Sequence, residues 1–262
     1  MPLMLTTKKS VLQKLIKSMY NQERINPYNQ QQQKAQQVEE MFNNIAPTYD
    51  RLNHRLSLNI DRYWRKKLLQ SLKQKSIGVI LDVATGTGDL AIQAASHLNP
   101  NHITGVDLAE EMLKVAAQKT ARQNLQDKIS YQKADCLDLP MTDNSFDAVI
   151  TAFGIRNFQH LDEGLKEMHR VLKPGGQIAI IELTQPIHSP MRQLFWIYSH
   201  TWLPFYGKLV SKDIQAYKYL TATIQAFPQG EAMMQIMQKA GFRNTNFKRL
   251  TMGICTLYTA EK

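Results

Sequence analysis

The chain has 262 residues, 43% hydrophobic and 21% charged, an ordinary globular composition with enough length for one α/β domain and an added lobe. Its two cysteines, Cys136 and Cys255, form no C-x-x-C pair and no disulfide framework, which excludes a small stapled secreted fold and fits a reducing cytoplasm. The net charge of +10 suits RNA, an anionic membrane surface or solubility alone, and its spread along the chain favours the last.

The opening MPLMLTTKKS lacks an apolar core followed by a small-residue cleavage site, so no secretory leader is expected. Residues 8–20 (KKSVLQKLIKSMY) carry apolar side chains at helical spacing with lysines on other faces. That pattern reads as a short basic amphipathic helix, either a membrane-surface contact or a helix docked on its own domain. The glutamine run in NPYNQQQQ (26–33) reads as a linker. Residues 1–34 are therefore set apart as an extension, and the domain proper is expected over 35–262. It begins with a helical lid, 35–76, made of a helix from Ala35 that Pro47 ends and a second over 61–72.

From Ile77 strands and helices alternate. Strands are expected at 78–83, 102–107, 128–133, 147–152 and 177–183, with helices at 89–97, 109–124 and 161–172. Such alternation predicts a mostly parallel, doubly wound sheet. Residues 186–240 read as a largely helical, aromatic-rich insertion on the substrate side. The apolar run Leu194–Val210 is too short and too interrupted to span a bilayer. Two strand-like runs, 245–250 and 253–260, close the chain.

The central motif is ILDVATGTGDLA (80–91), a buried strand that runs into Gly86-Thr87-Gly88 and straight into a helix. Glycine is needed where the backbone must turn sharply and admit a ligand to main-chain contact, and the helix N-terminus then offers free N–H groups. Alone, the pattern serves dinucleotide dehydrogenases equally well. Asp107, ending the next strand, can accept hydrogen bonds from ribose hydroxyls in either case, or act as an N-cap. The segment KADCLDLPMTDNSFDAVITA (133–152) breaks the tie, because it resembles the adenine-side and fourth-strand motifs of S-adenosylmethionine enzymes, with Asp135 near the adenine amino group and Cys136 beside it. Cys136 has no basic neighbour and is not read as a nucleophile. Asp89 reads either as a partner of the charged methionyl end or as a first-turn acid favoured by the helix dipole. Lys173-Pro174-Gly175-Gly176 reads as a tight turn without chemistry.

The fourth strand ends in Phe153-Gly154-Ile155-Arg156-Asn157 and not in the [D/N]-P-P-[Y/F] tetrapeptide of enzymes that methylate nucleobase amines, so nucleic acid is not an expected partner. Together with 41–66, 212–233 and the closing FKRLTMGICTLYTAEK, this pentapeptide resembles the UbiE/MenG family of menaquinone and ubiquinone biosynthesis C-methyltransferases, over about residues 35–262. The resemblance implies a Rossmann-like class I fold, a mostly parallel seven-stranded sheet ending in an antiparallel hairpin. It also implies S-adenosyl-L-methionine as cofactor, with contacts at Gly86, Thr87, Gly88, Asp107, Asp135 and Cys136. Where the family often has a serine before the pentapeptide, this chain has Ala152, which removes any hydroxyl contact there. The sequence is closer to the menaquinone branch, so the expected acceptor is a lipophilic demethylmenaquinol. The alternatives are a benzoquinol of the ubiquinone pathway and, further off, RNA. A peripheral contact with the inner face of the membrane and a homo-oligomeric state are also expected.

A quinol carbon becomes nucleophilic once a ring hydroxyl loses its proton, so such an enzyme must stabilise a phenolate-like oxygen. Arg156 stays protonated and suits that oxygen better than it suits the role of base. Asn157 is expected to hydrogen-bond a ring oxygen and Tyr49 to close the pocket. The structural alternatives are an ion pair for Arg156 and helix packing for Tyr49. His54 and His200 are the candidate bases by residue type alone, and no cluster with metal-ligand spacing is found, so no metal is expected.

Overall fold

The computed structural model describes residues 20–72, 77–202 and 214–262, without the side chains of residues 200, 202 and 214. The proposed amphipathic helix therefore lies outside the described residues, apart from its last residue, Tyr20. Seven strands form one sheet in the order β3-β2-β1-β4-β5-β7-β6. They are β1 Val79–Val83, β2 His102–Asp107, β3 Ile129–Lys133, β4 Phe146–Ala152, β5 Leu172–Leu183, β6 Arg243–Leu250 and β7 Cys255–Glu261. β1 to β5 pair in parallel, and β7 runs antiparallel to both β5 and β6. The expected class, a parallel doubly wound sheet closed by an antiparallel hairpin, is the class observed.

Residues along a strand point alternately to opposite faces, and here both faces are covered, so the central strands are apolar at nearly every position. On one face Leu81, Val83, Val149, Ile178 and Ile180 meet α6 (Leu161–Val171) and α9 (Glu231–Lys239). On the other, Ile80, Ile103, Ile150 and Ile181 meet α3 (Ile60–Ser71) and α4 (Asp89–Leu98). The remaining helices are α1 Lys34–Ile45, α2 Tyr49–Leu56, α5 Glu110–Arg122, α7 Met191–Ile197, continued by a π-helical turn through Trp202, and α8 Ile214–Ala226.

Three expectations change. The 173–176 turn is absorbed into β5, whose pairing jumps from Phe146↔Leu172 to Ala148↔Gln177 around a left-handed Gly175. Met233, Ile236 and Met237 of α9 belong to the main core, so the helical insertion ends before residue 231. The third concerns residues 20–34, which are folded onto the domain. The Gln37 side chain accepts from the Tyr28 and Asn29 amides and donates to the Asn29 and Gln32 carbonyls, which coils the glutamine run back on α1. Glu23 Oε1 accepts the Leu161 N–H at 2.8 Å at the start of α6, satisfying an amide that a helix N-terminus otherwise leaves open.

Lys34 is the costly member of this region. It is 3% exposed, donates to the Gln22 carbonyl at 2.6 Å, and burial pushes its ammonium down to about 7, against the opposing pull of Glu23. Between that value and the unfolded value near 10.5 the unfolded chain holds the proton that the folded chain has lost, so stability rises with pH in this window. Raising the pH from 7.5 to 8.5 is expected to add about 1 kcal/mol through this residue. Urea unfolding of Lys34→Met at the two pH values should lack that increment.

Candidate active site

The strand order reverses between β1 and β4, and an open parallel sheet leaves a crevice at such a point, beyond the carboxyl ends of its strands. The Gly-rich turn between β1 and α4 lies there. Gly86 has φ +56°, and a side-chain carbon placed on it would meet no atom within 4 Å, so its backbone borders open space. Gly88, at φ +78°, serves packing instead, since a side chain there would collide with Tyr131. Asp82 braces the turn from beneath, accepting from the Thr85 hydroxyl at 2.6 Å, and burial pushes its carboxyl up to about 7.

Asp107 ends β2 beside this turn. Its Oδ2 accepts the Gly86 N–H at 2.8 Å and its Oδ1 the Ala109 N–H at 2.9 Å. Burial raises its pKa despite these donors. A narrow cavity of about 80 Å³ is bounded by Gly86, Asp107, Asp135, Cys136, Asn157 and Tyr49 among others. Burial, with Asp135 nearby, pushes the Cys136 thiol up, which suits a wall residue and not a nucleophile. The lining suits a nucleoside: a carboxylate for sugar hydroxyls, open main chain at Gly86, and Asp135 among apolar side chains.

Thr87 behaves differently. Its hydroxyl donates to Asp50 Oδ1 at 2.5 Å and lies 3.3 Å from Lys119 Nζ, and it borders neither cavity. It belongs to an ionic cluster that ties α2 and α3 to the start of α4. Lys119 Nζ lies 2.6 Å from Asp50 and 2.5 Å from Asp89, while Arg65 lies 2.5 Å from Asp61. His54 bridges Asp61 at 2.9 Å and Asp89 at 3.4 Å. Burial opposes ionisation of Asp61 and Asp89, but their partners prevail, Ser57 and Arg65 at Asp61, Arg65 and Lys119 at Asp89, and both pKa values are lowered. Arg65 and Lys119 are the counter-cations of this group. His54 itself borders neither cavity, though its partner Asp61 lines the larger of the two, and no spacing in the sequence reports the cluster because its members come from four separate helices.

A second, larger cavity of about 380 Å³ adjoins the first. Phe42, Tyr49, Phe153 and Asn157 border both, so the two spaces share a wall. The larger one is apolar over most of its lining, with Leu52, Leu56, Trp64, Leu183, Met191, Phe195 and Ile224 among its sides. Arg156 and Asn157 enter it from a single 3₁₀ turn, Ile155–Asn157, directly after β4. Phe153, at φ +62°, makes the sharp exit from the strand that this turn needs.

Arg156 is 6% exposed and its Nη1 lies 2.7 Å from Glu182 Oε1, which is wholly buried in β5. Burial works against the charge, but Glu182 outweighs it and raises the guanidinium pKa further. The ion-pair reading of Arg156 is therefore correct, and the same side chain also faces the chamber. Tyr49 stands edge-on to Phe42 at 5.9 Å, and burial raises its pKa while Arg156 and Arg65 pull it down. Arg156, Asn157 and Tyr49 thus converge, as do Gly86, Asp107, Asp135 and Cys136, whereas Thr87 and Gly88 face elsewhere.

A seven-stranded sheet with β7 reversed, a glycine turn after β1 and an acid ending β2 define the class I methyltransferase fold. Solved structures bear this out at the level of fold: the [4+2]-cyclase SpnF aligns with a TM-score of 0.65 at 17% identity, covering 87% of this chain and 96% of that one. The Haemonchus contortus phosphoethanolamine N-methyltransferase 2, solved with S-adenosyl-L-methionine, aligns at 0.57 and 18% identity, covering 76% of this chain and 52% of that one. The chain belongs to the ubiE/COQ5 methyltransferase family, which it matches over residues 30–262. It is 54% identical over 243 residues to a demethylmenaquinone methyltransferase of Bacteroides fragilis, covering 93% of this chain and 99% of that one. It is also 44% identical over 231 residues to a ubiquinone/menaquinone biosynthesis C-methyltransferase UbiE of Geotalea daltonii, covering 88% and 98%.

Proposed function

We propose that the chain transfers a methyl group from S-adenosyl-L-methionine to the unsubstituted ring carbon of demethylmenaquinol, giving menaquinol. The observation that carries the acceptor class is the 380 Å³ apolar chamber sharing a wall with the cleft at the Gly86 turn, with the buried guanidinium of Arg156 lining the chamber beside the shared Asn157. The name of the Bacteroides fragilis relative supports the naphthoquinol over a benzoquinol.

The bound cofactor supplies an activated methyl on its sulfonium, so the protein's own tasks are alignment and charge stabilisation. In this reading the Asp107 carboxylate accepts from the ribose hydroxyls, and Asp135 and Cys136 border the adenine. Arg156, held by Glu182, turns a permanent positive charge toward the ring oxygen that becomes anionic. The buried Asn157 side chain has an oxygen without a partner among the described residues, which suits a ring hydroxyl as donor. Tyr49 separates ring and nucleoside.

We further read the chamber mouth as the face that meets the membrane. Leu58, Leu194, Trp196 and Met252 are 79%, 54%, 59% and 69% exposed, and Leu58 and Leu194 line the chamber itself. Besides the buried Arg65–Asp61 pair, the stretch from Arg51 to Leu72 carries Arg51, Arg55, Arg62, Lys66 and Lys67 and no other acid, a balance that favours an anionic surface. No helix among the described residues is long and apolar enough to cross a membrane. The protein should sediment with vesicles containing phosphatidylglycerol and not with phosphatidylcholine alone, and Leu58→Asp with Trp196→Asp should weaken that binding. Equal recovery with both lipids, or with neither, would remove the membrane from this reading.

The deciding experiment incubates the protein with methyl-labelled cofactor and reduced demethylmenaquinone or demethylated benzoquinone side by side, with product mass as readout. Label in the naphthoquinol alone supports the assignment. Label in the benzoquinol alone transfers it to the other branch.

A further inference from the structure

Building on the reading of the chamber as a quinol site, we propose that Tyr219 is a further catalytic residue, its hydroxyl donating a hydrogen bond to the same ring oxygen that faces Arg156. Three other hydroxyls of the chamber are already engaged. The Tyr198 hydroxyl donates to the Leu56 carbonyl at 3.1 Å, Thr251 Oγ1 accepts the Trp64 indole N–H at 2.7 Å, and Thr221 donates to the Tyr217 carbonyl at 3.2 Å. Tyr219 lines the same chamber, is 4% exposed, and its hydroxyl has no partner among the described residues.

A buried hydroxyl left unpaired destabilises a fold, and phenylalanine would fill the site without that penalty. The oxygen is accounted for if a ligand uses it. The ring is fixed by Val38 and Met41 and by the Lys34 ammonium 5.9 Å from its centroid, so the hydroxyl is held in place. Arg156 lines the same chamber, and it and Glu182 both act electrostatically on the Tyr219 hydroxyl. Burial raises its pKa, so it remains protonated and serves as a neutral donor, not as a base. Two donors on one developing oxyanion, one charged and one neutral, form the arrangement that stabilises enolate-like transition states.

The test compares the unaltered protein with Tyr219→Phe, which keeps every ring contact, using a short-chain demethylmenaquinol. The expected result is a kcat lowered about 30-fold or more, with cofactor Kd unchanged and a melting temperature that rises, since the unpaired hydroxyl is gone. The alkaline shift of the kcat–pH profile is the readout that packing alone would not move, because a lost donor raises the pKa of the bound ring hydroxyl. A kcat within twofold and an unmoved profile would overturn the role of Tyr219 and leave the function standing. No turnover by the unaltered protein with any quinol would overturn the function and this role together.

Discussion

Arg156→Ala is expected to lower the rate of methyl transfer about a thousandfold while the cofactor Kd stays within a few-fold of normal. Removing one oriented donor from a developing oxyanion costs 10²–10³ in rate in well-studied acyl-transfer enzymes, and here the donor is also the only guanidinium on the turn that joins the two cavities. Stability should fall as well. Glu182 is wholly buried and loses the partner at 2.7 Å, and an uncompensated buried charge is worth about 3–5 kcal/mol. The two effects separate in the pair Arg156→Met with Glu182→Gln, which removes the stranded charge and leaves the oxyanion unsupported. Stability recovered without activity is the expected pattern. A cofactor Kd that collapses in step with the rate would return Arg156 to a purely structural role.

Asp107→Ala should weaken cofactor binding about 100-fold, since a charged acceptor contributes about 1.5–3 kcal/mol per hydrogen bond and this one also positions the turn through the Gly86 and Ala109 amides. Asp107→Asn keeps an acceptor oxygen and should lose less. The pH dependence has a definite sign. Burial raises the Asp107 pKa, so as pH falls this carboxylate takes up its proton earlier than an ordinary one, and cofactor affinity should decline with it. Titration calorimetry across mildly acidic pH should show that decline in the unaltered protein and a flatter course in Asp107→Asn.

The sheet was legible because its signals are local. β2 begins and ends at the expected residues, 102 and 107, and the other parallel strands up to β4 fall within one residue of expectation, since a buried strand between turn residues leaves little freedom. Gly86, Asp107 and Asp135 each sit where a strand meets a loop and border one cavity, as the family resemblance implied for a common site. The Thr87–Asp50–Lys119 contact was not, because it joins α2, the glycine turn and α5, and no periodicity reports a meeting of that kind. Tyr219 was hidden for a related reason: within the pattern of α8 it reads as one more aromatic on an apolar face, and only the absence of a partner for its oxygen among the described residues sets it apart. Glu182 passed as the end of an apolar strand until Arg156 was found against it.

The folded stretch ahead of α1 bears on where this polypeptide can be shortened. The match to the family begins at residue 30, which invites trimming everything upstream. Yet Glu23 supplies the acceptor for the first amide of α6, and the Gln22 carbonyl receives the Lys34 ammonium that lies over Tyr219. A version begun at residue 35 would therefore lose a support behind Tyr219 in the chamber wall, and should prove less active as well as less stable. One begun just before Tyr20 keeps both attachments.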